Sequence, residues 1–198
     1  MKKRFLFITL VLVLLLTAIL PAGVMASDKD RDRDKFTAEA MVYISAAGTT
    51  TITGQRGPLV FTQTTGEQLT GLVSSSPDWE DLTGSGFTMD VVTNNAILNY
   101  NTLTLTGIST GTISLLGADG TSAMTGIFRA IIRGKFMLDE QGNPLFYEVN
   151  DLATFKLEGV SGVFDEVEAK GIASVQLTPT PDGQTLAGMM TMEGRLDD

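Results

Sequence analysis

The sequence predicts an all-β protein: a single antiparallel β-barrel of about eight strands, with a two-sheet β-sandwich as the alternative architecture. Three observations predict it. Short runs rich in Thr, Val, Ile and Phe recur along the chain from Phe36 onward, and such residues suit a pleated, half-buried surface. Many of these runs alternate apolar and polar residues with a period of two, the signature of a strand with one dry face. Glycine- and asparagine-containing turn signals separate the runs, and no stretch carries an amphipathic helical period.

Taken in order, FTAEAMVYI places Phe36, Ala38, Ala40, Val42 and Ile44 on one face and Thr37, Glu39 and Tyr43 on the other. LVFTQTT, GFTMDVVT, AILNYNTLTLTG, GTISLL, MTGIFRAIIRG, LFYEVNDLATFKLEG, GIASVQLTP and TLAGMMTMEGRL continue in the same style, nine or ten candidate strands in all. In IFRAIIR, Phe128, Ala130 and Ile132 oppose Arg129 and Arg133. In ATFKLE, Phe155 and Leu157 oppose Thr154, Lys156 and Glu158, and in ASVQL, Ala173, Val175 and Leu177 oppose Ser174 and Gln176. Turns are expected at Asn94-Asn95, 117–120, 141–144 and 181–183. Glycines inside strands, at Gly107, Gly126 and Gly188, suit bending or bulging and favour the barrel. The longest stretch without a strand signal, residues 73–86, holds the single tryptophan, Trp79. Its expected role is a surface loop whose indole covers one end of the core, with a ligand-binding lid as the sharper reading.

The N-terminus reads differently. Lys2, Lys3 and Arg4 precede an apolar run from Phe5 to Leu20, and small residues lead to Ala26. This is the layout of a secretory signal peptide spanning residues 1–26, cleaved after Ala26. A retained anchor is the alternative, although the apolar run is shorter than the roughly 20 residues a spanning helix needs. The expected destination is therefore secreted or extracytoplasmic. Residues 27–35 alternate acid and base and form a charged leader expected to be disordered, and residues 36–198 form the domain. Asp28, Asp30, Asp32 and Glu39 match part of the spacing of a calcium loop. Arg33 stands where that loop requires glycine, and cations interleave the acids, so no metal site is expected.

Composition removes whole classes of chemistry. The net charge of −9, more negative still without the N-terminal cations, disfavours nucleic acid and anionic lipid as partners. There is no histidine and no cysteine, hence no disulfide, no thiolate and no ordinary general base. Residues 107–111, GISTG, match the pattern around a serine nucleophile, but Ser109 has no histidine to activate it and reads as part of a strand. The acidic groups Asp78, Glu80, Asp81 and Asp165, Glu166, Glu168 lie beside turns and are expected to be solvated. No cofactor is implied, and no catalytic residue is identifiable.

FKLEGVSGVFDEVEAKGIASVQL resembles a signature of the allene oxide cyclase-like barrels, a superfamily that includes dirigent proteins and small secreted bacterial proteins. Gly159, Gly162, Phe164 and Gly171 hold the motif positions, Val160 replaces the usual second glycine, and PDGQTLAG resembles the hairpin that follows in bacterial members. The similarity covers about the last 70–80 residues, and in that family the motif is architectural. The resemblance implies a barrel whose lumen holds a small apolar molecule, with Phe128, Ile132, Phe155, Leu157, Val175 and Leu177 as candidate lining or ordinary core. A cyclase or isomerase acting by confinement is the second reading, and a structural surface-associated protein the third. A pocket of about 300 Å³ or more with buried carboxylates favours ligand binding, and a filled interior favours structure.

Overall fold

The computed structural model describes residues 35–183 and 185–197. The expected signal peptide and all of the leader except Lys35 lie outside these residues. Eight strands follow in order: β1 (Lys35–Arg56), β2 (Leu59–Ser75), β3 (Gly86–Asn99), β4 (Thr104–Leu116), β5 (Ala123–Leu138), β6 (Pro144–Ser161), β7 (Glu168–Pro179) and β8 (Leu186–Asp197). Every sequential pair is antiparallel, and β1 also pairs with β8, from Lys35↔Arg195 to Tyr43↔Ala187. One sheet thus closes on itself in a ring, and among the described residues no second sheet stacks on it as a sandwich requires. Among the described residues no helix is long and apolar enough to cross a membrane.

The period-two faces are distributed as the alternation requires. Phe36, Ala38, Ala40 and Val42 on β1 are buried, as are Phe128, Ala130 and Ile132 on β5 and Ala173, Val175 and Leu177 on β7. Their neighbours Glu39, Arg129 and Ser174 are exposed.

Strand boundaries depart from the sequence reading in instructive ways. Asn94-Asn95 is not a turn. It lies inside β3, where the register shifts between Thr93 and Asn95, a bulge that joins two expected strands into one. The chain reverses instead at Tyr100–Leu103, where the Asn99 carboxamide oxygen accepts the N–H groups of Asn101 and Thr102 (3.0 and 3.3 Å). TLTLTG and GTISLL likewise merge into β4, and β1 runs twelve residues beyond Ile44. Gly126 and Gly188 do not mark bulges, because the pairing is unbroken across both. They permit close approach: a Cβ on Gly126 would lie 1.9 Å from the Lys156 carbonyl oxygen.

Two hydrophobic clusters fill the ring. The larger runs from Phe36 through Phe128, Phe155 and Leu157 to Met190. The smaller comprises Val60, Leu98 and Phe136, with Tyr100, Leu103, Leu105 and Phe146 packed against it. Phe136 meets Tyr100 and Phe146 edge-on, at 5.5 and 5.7 Å.

Candidate functional site

One end of the ring is plugged. The loop after β2 folds through a short 3₁₀ turn, Glu80–Leu82, pinned by the Ser76 N–H donating to Thr83 Oγ1 (3.0 Å) and Ser76 Oγ donating to the Thr37 carbonyl (3.1 Å). Trp79 is consequently only 8% exposed. Its ring packs edge-on against Phe36 at 5.2 Å and Phe164 at 5.5 Å.

Phe164 belongs to the glycine-bracketed stretch, and the geometry explains the bracketing. Gly162 has φ +69°, and a Cβ there would lie 2.1 Å from Ser122 Oγ. A Cβ on Gly159 would fall 1.5 Å from the Phe164 carbonyl oxygen. Ser122 Oγ accepts the Val163 N–H (3.0 Å) and donates to Asp119 Oδ2 (2.5 Å). Asp119 Oδ1 accepts the N–H groups of Thr121 and Ser122, both at 2.9 Å. The Ser122 hydroxyl, its N–H and the Thr121 N–H together hold the Asp119 carboxyl far below the usual carboxylate range. The β4–β5 turn and the stretch after β6 are thereby locked together, with Phe164 fully buried. Gly159, Gly162 and Phe164 build this plug, while Gly171 pairs with Phe155 and Gly194 in the wall.

The lumen above the plug holds a small apolar void of about 40 Å³. Among the candidates, Phe128, Phe155, Leu157 and Val175 line it, together with Phe87, Met89, Ala153, Met190 and Met192. Ile132 and Leu177 are buried in the same cluster but do not line the void. Such a volume accommodates roughly two or three water molecules. The interior is therefore nearly filled, below the size expected of a ligand chamber. A larger depression of about 570 Å³ is an open trough on the outer face, between Thr110, Thr112, Ile127, Arg129, Thr154 and Lys156. Lys156 is engaged there with Glu158 (2.9 Å) and Glu168 (3.1 Å).

The unexpected feature is acidic. Asp151 shares its face with Val149, Ala153 and Phe155, all buried, so its carboxyl points inward. Glu67 pairs with the buried Val91 and lies two residues from the buried Leu69, which also places it inside. Burial pushes both carboxyls up to about 7, and for Asp151 the nearby charge of Glu67 adds to the effect. Asp151 Oδ1 is buried without a hydrogen-bond partner. Buried hydroxyls Thr62, Thr93 and Ser109 accompany the pair. Thr93 and Ser109 face each other across β3 and β4, so the GISTG serine forms part of a polar arc along the inner wall from β2 to β6. No histidine exists to turn it into a nucleophile.

The acidic residues singled out from sequence lie elsewhere. Asp78, Glu80, Asp81, Asp165 and Glu166 are exposed, and Asp78 Oδ2 accepts the Thr37 hydroxyl at 2.9 Å. Glu168 joins a ladder in which Lys156, Lys170 and Asp197 alternate in sign. Glu39 stands exposed on β1, and the other acids of the calcium-like spacing lie outside the described residues. Among the described residues no cluster of three or more metal-ligating side chains occurs. Strand parity was the available signal for Asp151, which shares the phase of Phe155 and Leu157. Glu67 lies past the expected strand LVFTQTT, and the register shift between Thr64 and Glu67 reverses the phase set by the buried Val60 and Thr62. Comparisons with protein-family models, with curated proteins and with solved structures return no match.

Proposed function

We propose that the chain is an exported barrel of the allene oxide cyclase-like kind that takes up a small, mainly apolar molecule bearing a hydrogen-bond donor or protonated amine. The observation that carries this reading is the pair Glu67 and Asp151, facing the lumen beside an apolar void. A buried carboxyl without a partner costs folding free energy, and a core serving only to fold has no use for two of them. Clusters of groups shifted by burial and by each other are more often found at functional sites. A donor group on a ligand would satisfy the Asp151 oxygen that the protein leaves bare.

The void must enlarge to admit such a molecule. Three of its lining residues, Met89, Met190 and Met192, have unbranched, polarizable side chains that refill irregular space readily. Confinement catalysis would need a standing chamber around a substrate, which makes binding the preferred reading over a cyclase or isomerase. The structural alternative draws support from the nearly filled lumen and from apolar stripes on the outer wall. Ile108, Ile131 and Leu152 align across β4, β5 and β6, and Leu72, Met41 and Met189 align across β2, β1 and β8.

Native mass spectrometry of protein purified from its host provides the test. The expected result is a co-purifying small molecule, absent from a Glu67→Gln/Asp151→Asn variant that unfolds as cooperatively as the parent. Absence of any adduct, together with unchanged Trp79 emission on titration with apolar amines and alcohols, overturns the binding reading in favour of the structural one.

A further inference from the structure

The ring is not closed over its whole height. Pairing of β1 with β8 ends at Tyr43↔Ala187, and just beyond it Thr185 Oγ1 donates to the Ile44 carbonyl at 2.7 Å. From Ala46 to Arg56, β1 pairs only with β2. Its other edge has no strand beside it among the described residues. The corresponding edge of β6 is also open at Pro144–Glu148, since β7 joins only at Val149↔Leu177. That edge is short and begins with a proline, and Glu148 is paired with Lys135 at 2.7 Å. These are familiar guards against edge pairing.

The β1 edge has fewer guards. Ser45–Gln55, SAAGTTTITGQ, contains no charge and no proline, in a chain of net charge −9. Its register with β2 is unbroken from Thr49 to Ile52, between the shifts at Ile44/Ala46 and Ile52/Gly54. Thr and Ile are strong strand formers, and Ile52 is 68% exposed. We infer that this edge, centred on Thr51, pairs antiparallel with the same edge of a second copy of the chain.

The uncharged, proline-free sequence of this edge in an acidic chain fits a second copy as the occupant, and the geometry of such a pair is self-consistent. A two-fold axis makes the partner strand antiparallel to β1, the direction of β8, so the second copy continues the ladder where β8 stops. Centring at Thr51 sets Thr50 against Ile52 of the second copy and Thr49 against its Thr53, a self-complementary contact as a two-fold interface requires. Two acidic chains repel wherever their acids meet, and this stretch lets backbones approach with no charge facing a like charge. Arg56, at its end, falls opposite Ala46. The inference is independent of any ligand in the lumen.

Sedimentation equilibrium on the chain as its host releases it reads the outcome directly. The expected result is a concentration-dependent dimer. Thr51→Lys and Thr51→Glu each weaken it by at least about tenfold, because like charges placed directly opposite repel. Mixing the two variants restores association, a rescue that only a self-interface centred at this residue produces. Amide exchange at Thr49–Thr53 should slow with rising protein concentration in the parent and not in either variant. A parent that stays monomeric at high concentration overturns the inference. So does a dimer indifferent to both substitutions. A monomer that captures only strands of other proteins also overturns it. A thermal melt of each variant shows whether it remains folded.

Discussion

The two ends of the ring are built from the same kinds of residue and behave as different materials. At the plugged end all eight strands take part, and Trp79, Phe36 and Phe164 interlock. The turn hydrogen bonds through Asp119 and Ser122 lock two turns together there, although one buried hydroxyl of the Trp79 loop, Ser85 Oγ, has no hydrogen-bond partner. At the other end β7 and β8 stop short, β1 and β2 project, and a smaller cluster around Phe136 does the packing. The outer rim there carries a strand edge unpaired among the described residues. The inward carboxyl whose Oδ1 lacks a partner, Asp151, sits where β7 and β8 are still paired, through Val175 and Met190. The difference teaches that closure accomplishes two separate things. It removes edges only over the height where all strands reach, and it dries the lumen whether or not every inward side chain tolerates dryness.

The largest expected effect sharpens this contrast. Phe164→Ala should cost about 3–5 kcal/mol by urea denaturation, since a fully buried ring in a locked plug leaves a cavity that cannot collapse. Phe136→Ala, equally buried but held by the smaller cluster, should fall at or below the low end of that range. Equal costs would break the comparison. Gly159→Ala comes next. Its methyl meets the Phe164 carbonyl, and relief requires backbone movement, with an expected loss of about 2 kcal/mol or more.

The carboxyl pair makes a pH prediction with a definite sign. The folded groups titrate at about 7, from ordinary values of 4.5 for Glu67 and 3.8 for Asp151. Between those limits the native state holds more protons than the unfolded chain, so their contribution to stability is full below about pH 4 and is lost as pH rises to about 7. The Glu67→Gln/Asp151→Asn variant should lack this decline, ending more stable than the parent by roughly 3 kcal/mol or more at pH 8. Taking the difference between parent and variant cancels the opposite trend of Asp119 and Asp139, whose hydrogen bonds hold their carboxyls low. A difference that stays flat across this range would mean the lumen is wet. The smallest effect belongs to the rim: Thr51→Lys should change the unfolding free energy of the isolated copy by no more than about 0.5 kcal/mol, while altering association.

Much of the wall was legible because a strand's side chains alternate whatever surrounds them. Phe128, Phe155, Leu157 and Val175 declared their face by parity, and the turns at 117–120, 141–144 and 181–183 by their glycine and proline chemistry. Asn94-Asn95 misled because the same residues that favour turns also tolerate a bulge, and only the pairing partner decides between them. Asp151 has the parity of Phe155 and Leu157, yet a charged residue in a dry phase reads locally as an interruption. Glu67 is not legible from parity, because the register shift between Thr64 and Glu67 reverses the phase of Val60 and Thr62. Trp79 could be assigned to a loop but not to its neighbours: Phe36 lies 43 residues away and Phe164 lies 85, and no local pattern encodes such contacts.

By itself the sequence determined the strand class, the inward and outward faces and the chemistry that is absent, because these follow from residue type and a period of two. Tertiary structure alone decided where β8 stops along β1, that Glu67 and Asp151 share one lumen, and how little space is left between the methionines. Those depend on register and closure, which are set by the sum of many weak cross-strand contacts and by no single stretch of the chain.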